Sequence, residues 1–101
     1  MPTKTDPLSG YDTAASETGL SFRQRQEMGL TIPAMAKLAR KMKKAGKLSS
    51  ELDIAAAQIL DALVKENPKA FGKPGINWES ILAFIEKMLP IILQFLAIFG
   101  V

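Results

Sequence analysis

Histidine and cysteine are both missing from the 101 residues. Without them there is no Cys/His metal site, no thiol nucleophile, no Ser-His-Asp triad and no proton shuttle with an ordinary pKa near neutrality. No disulfide is possible, so a reducing compartment is permitted. Sustained two-residue alternation of β-branched side chains is missing too, and no strand is expected. Acidic residues are absent from one long stretch, between Glu27 and Glu51. The opening "MPTKTDPLSG" lacks an apolar core of signal-peptide length, which argues against classical secretion and for an intracellular or virion-associated place, membrane-bound or not.

The chain has room for one domain with a core of modest size. Residues 1–20 carry Pro2, Pro7, Gly10 and Gly19 among small polar side chains. Such a stretch buries too little apolar surface to offset its ordering entropy and reads as an extended arm. Residues 21–68 read as helical. Ser21 caps a short helix through "FRQRQEM", which Gly29 ends. The next helix has Pro33 in its first turn and Gly46 at its stop. On its wheel Met35, Leu38, Ala39, Met42 and Ala45 share one side, and Lys37, Arg40, Lys41 and Lys44 the other.

The following helix opens with Ser50 and Asp53 at capping-box spacing and stops at Pro68. Leu52, Ala56, Ile59, Leu60, Leu63 and Val64 form its inward stripe. Its short link from the basic helix predicts an antiparallel helical hairpin. Residues 69–77, rich in Pro, Gly and Asn, read as a loop.

The last segment, 78–101, is the most apolar. With Asn77 as its cap, Glu79, Ser80, Ala83, Glu86, Lys87, Pro90, Gln94 and Ala97 occupy an arc of roughly 120°. Every large aliphatic or phenylalanine from Ile81 to Phe99 lies on the remainder, about twice the stripe that a surface helix needs. Two small helices cover such an arc poorly, so cover from outside the monomer is expected, with Trp78, Ile81, Ile85, Met88, Ile92, Phe95 and Phe99 as the contact to protein or membrane. As a helix, residues 81–101 would be about 31 Å long, close to a bilayer core. Pro90 frees the carbonyl of Glu86, and its place in the polar arc lets water take up that carbonyl. A wet stripe of this length fits an interfacial helix, a ring of helices or burial against protein better than a lone lipid-facing span.

The acid-free stretch holds Lys37, Arg40, Lys41, Lys43, Lys44 and Lys47. Lys37, Arg40, Lys41 and Lys44 are the expected polyanion contact, to nucleic acid phosphate or anionic lipid. No aromatic residue is interleaved with them, so bases have no stacking platform and nucleic-acid binding would be independent of sequence. No catalytic constellation is present. "AGKLSS" lacks the first glycine of a phosphate loop, because position 41 is lysine. Asp53 and Asp61 have no acid–base partner and read as solvated surface, while Met35 and Met42 read as core filler.

These observations describe an all-α protein: an N-terminal extended arm, a short helix, an antiparallel helical hairpin, and a long wide-faced apolar C-terminal helix. The expected role is non-enzymatic, a small structural or assembly subunit (a virion or shell component, for example) that self-associates or docks in a larger complex. A membrane anchor or holin-like pore former and a sequence-independent nucleic-acid-associated protein are the alternatives. No cofactor and no small-molecule substrate are expected.

Overall fold

The computed structural model describes residues 7–98, and every regular element in them is a helix. They are α1 (Pro7–Ser16), α2 (Phe22–Met28), α3 (Ile32–Lys44), α4 (Leu52–Glu66), α5 (Pro68–Phe71) and α6 (Trp78–Ile98). Residues 1–6 and 99–101 lie outside the described residues, and with them the outer part of the expected arm and Phe99.

Helix α1 takes up half of that arm. Tyr11, Ala14, Ala15 and Thr18 recur at i, i+3, i+4 and i+7, and all four are buried. Alanine buries little area, but it lets two helices approach closely, which composition alone does not reveal. Pro7 starts the helix where a missing N–H does no harm. After its end, the Thr18 hydroxyl donates to the Ala15 carbonyl at 2.7 Å and accepts from the Leu20 amide at 3.2 Å.

The next boundaries follow local chemistry. At α2, the Ser21 hydroxyl accepts from the Gln24 amide at 3.1 Å, and the Gln24 side chain accepts from the Ser21 amide at 2.8 Å, closing a capping box. Gly29, at φ +78°, reverses the chain after α2. Thr31 caps α3 through the Ala34 amide. Gly46, at φ +70°, terminates it, with the Lys47 amide donating to the Met42 carbonyl at 2.9 Å.

At α4 the expected capping box of Ser50 and Asp53 does not form. The cap position falls on Glu51, which makes no side-chain cap bond. Two residues earlier, the Ser49 hydroxyl accepts from the Glu51 amide, and the Ser49 amide donates to the Gln58 side chain at 2.8 Å. Pro68 ends α4 and begins the single turn α5, so part of the expected 69–77 loop is helical.

Helix α6 lies at the centre, packed chiefly on α4 and α3 and also on α1. Ile81, Phe84, Ile85, Met88, Leu89, Ile92 and Leu96 are buried along it. The other sides of this core are Met35, Leu38 and Ala39 from α3, Ala55, Ala56, Ile59 and Leu63 from α4, and Tyr11, Ala14 and Ala15 from α1. The expectation that cover must come from outside the monomer is therefore corrected. Three helices, one of them read as an arm, already enclose most of the apolar arc.

The Asn67 amide donates to the carbonyls of Leu63 and Met28, joining the end of α4 to the end of α2. Phe71 stacks on Trp78 at 5.7 Å between centroids, so α6 sets out beside α5. The described molecule measures 41 × 38 × 20 Å, about two helices deep.

Candidate functional site

Helix α3 turns its cations away from α6. Met35, Leu38 and Ala39 are buried on one side, while Lys37, Arg40, Lys41, Lys43 and Lys44 are exposed, as is Lys47 just past the Gly46 turn. Lys37, Arg40, Lys41 and Lys44 fall within an arc of about 100° and span about 10 Å of helix axis. Among the described residues the ion pairs are Arg23–Glu27, Lys65–Asp61, Lys73–Glu27 and Lys87–Glu17. None of the six cations of this block takes part in one.

Part of this arrangement has a local cause. Lys41, Lys43 and Lys44 occupy the last turn of α3, where a cation is stabilised by about 0.3–1 kcal/mol through the helix dipole. Lys37 and Arg40 lie further back and gain less from it. Like charges at i,i+3 and i,i+4 cost about 0.2–0.5 kcal/mol per pair, so Lys37 with Arg40 and Lys41, and Arg40 with Lys44, carry a standing repulsion. An approaching polyanion would relieve it.

The expected apolar contact divides differently. Ile81, Ile85, Met88 and Ile92 are at most 2% exposed and fill the chain's own core, so in this fold they present no surface to a partner. That is a correction to the contact face, and its cause is the cover supplied by α1, α3 and α4. Phe95 is partly buried. Trp78 remains about half exposed beside Phe71, and Phe99 lies outside the described residues. By length and composition α6 could cross a membrane, at 21 residues and a mean hydropathy of 2.0. Its outer arc, with Glu79, Ala83, Glu86, Lys87, Pro90, Gln94 and Ala97, is exposed. Lys87 there donates to Glu17 at 3.0 Å, a surface pair between α6 and the end of α1.

The surface also carries open clefts, two of them roomy. One of about 460 Å³ is lined by Glu27, Glu66, Asn67, Pro68, Lys69, Ala70 and Lys73, with Glu27 and Lys73 paired at 3.7 Å. The other, about 360 Å³, is apolar and lined by Tyr11, Phe22, Gln26, Thr31, Ile32 and Pro33. Glu27 and Lys73 are both solvent-exposed, and their pairing across the cleft is that of a surface ion pair. Among the described residues no cluster of Asp and Glu could hold a metal ion. Asp53 and Asp61 are exposed, and Asp61 pairs with Lys65 at 3.1 Å.

Sequence reasoning missed the exposed aliphatic residues that follow the basic block. Leu52 was placed on the inward stripe of α4, but it precedes the covered part of the helix and stands 42% exposed. Ile54 is 44% exposed, on the side opposite Ala56 and Ile59. An isoleucine on a polar helix face was the available signal. No protein-family model matches the chain, nor does any curated protein or solved structure.

Proposed function

We propose that this is a non-enzymatic structural or assembly protein that attaches to a polyanionic partner through the basic face of α3. The observation that carries this reading is a block of six exposed cations with no ion-pair partner among the described residues and no acidic residue between Glu27 and Glu51. Such a block raises the local concentration of a polyanion and its association rate, and the affinity falls as salt rises. A rigid helix with its apolar side locked against α6 holds the charges in a fixed array. Self-association through the apolar arc of α6 has less to stand on, because Ile81, Ile85, Met88 and Ile92 are already covered within the chain.

The test is retention on immobilised heparin, a sulfated polyanion without lipid or bases. The quadruple variant Lys37→Gln, Arg40→Gln, Lys41→Gln and Lys44→Gln should keep its helical circular dichroism, since all four positions are exposed. It should elute at much lower salt than the unmodified chain. Elution at the same salt would refute the reading.

A further inference from the structure

The polyanion has a surface of its own chemistry. We propose that the basic face of α3, with the exposed aliphatic pair at the start of α4, is a docking surface for a membrane rich in anionic lipid. This rests on the polyanion reading above and narrows it.

Two observations on the molecule favour lipid over a nucleic acid. The cations are interleaved with no aromatic residue that could stack on bases. They are followed, across the seven-residue link 45–51, by Leu52 and Ile54, both more than two fifths exposed on the first turn of α4. Apolar side chains beside a cationic array gain nothing from a phosphate backbone in water, but they enter the acyl boundary beneath a layer of headgroups.

The geometry divides the work between the two parts. Gly46 turns the chain sharply after α3, and the bond from the Ser49 amide to Gln58 ties the link to α4. Leu52 and Ile54 lie on opposite sides of the first turn of α4, so the apolar element is the tip of that helix rather than one of its sides. Glu51 and Asp53 stand at the same tip and oppose an anionic surface. Against these two carboxylates, the stretch from Lys37 to Lys47 carries six cations, and the sum remains favourable. Each cation held near an anionic leaflet raises affinity about fivefold. Leu52 and Ile54, each already partly covered, can together add about tenfold by burying what remains of their side chains.

The experiment is cosedimentation of the full chain with vesicles of phosphatidylcholine containing 30% phosphatidylserine, beside vesicles of phosphatidylcholine alone and a 30-base-pair duplex DNA. The expected result is binding to the phosphatidylserine vesicles, little to the neutral ones, and a loss of about tenfold in the double variant Leu52→Ser and Ile54→Ser. Both sites are exposed, so the variant folds, and its unchanged heparin retention would show that the basic face is intact. Vesicle binding indifferent to that variant, or equal on neutral vesicles, overturns the inference. Binding to heparin and DNA but not to vesicles also overturns it and leaves the polyanion reading standing. Failure to bind heparin, DNA and vesicles alike removes both.

Discussion

The hydroxyl of Tyr11 donates to the backbone carbonyl of Leu30 at 2.6 Å, across nineteen residues of chain. The same ring meets Phe84 edge-on at 5.4 Å between centroids. One side chain thus fastens α1 both to the α2–α3 link and to the central helix. Tyr11→Phe keeps the ring contact and leaves the Leu30 carbonyl without this donor, at an expected loss of about 1–2 kcal/mol. Tyr11→Ala removes the ring as well and should lose about 3–5 kcal/mol, in the range of large aromatic truncations. Urea unfolding checks both, provided the slope stays constant between variants.

Gly29 reverses the chain between α2 and α3 at φ +78°, and a Cβ there would stand 2.9 Å from Cδ2 of Leu63. Two separate penalties follow for Gly29→Ala. The left-handed backbone costs about 1–2 kcal/mol for any L-residue, and the clash must displace a buried leucine. Gly75 has a similar φ of +83° with open space around it, so Gly75→Ala meets only the first penalty. Thermal melts should therefore place Gly29→Ala well below Gly75→Ala. Equal melting points would mean that Leu63 yields freely.

The contrast between those glycines marks what the sequence discloses. Features decided by a few neighbouring residues were legible: the Ser21 box, the stops at Gly29 and Gly46, the Asn77 cap accepting from the Ser80 amide at 3.1 Å, and the two faces of α3. The polar arc of α6 was legible for the same reason. What depended on distant residues was not. Helix α1 owes its burial to Phe84, more than seventy positions away, and its alanines give a weak hydropathy signal. Because α1 gives so weak a signal, patterning alone understates the cover over α6, and core residues such as Ile85 look like a contact face. The Ser50–Asp53 box does not form, whereas Ser49 bonds to Gln58, nearly two turns into α4. In the candidate site, the charges were visible in advance, whereas the exposure of Leu52 depended on where the cover over α4 begins.

Ile92 and Ile98 separate core from surface within one helix. Ile92 is fully buried and Ile98 is 75% exposed, although they are equally apolar. Ile92→Asp places a carboxylate in the core and should cost more than about 4 kcal/mol, enough to unfold a marginal domain. Ile98→Asp should stay within about 0.5 kcal/mol, as exposed substitutions do. Far-ultraviolet circular dichroism distinguishes this from a contact-face reading of Ile92. A folded Ile92→Asp monomer would mean that the residue had been covered by a second copy, and the central place of α6 would be wrong.

Pro90 sits inside α6 and on its exposed arc. It has no N–H to give the Glu86 carbonyl, and its ring crowds that same turn. In a helix interior proline is less favourable than alanine by about 3 kcal/mol. The surrounding helix has adapted to it, so Pro90→Ala should recover about 1–3 kcal/mol without opening a cavity. For a domain of this size each kcal/mol raises Tm by about 4–8 °C. A scanning melt reads the result directly. A rise would show that the proline strains a helix whose packing does not need it. A fall would mean that α6 needs proline at this position to follow α3, α4 and α1 together, so that replacing it costs more packing than the restored hydrogen bond returns.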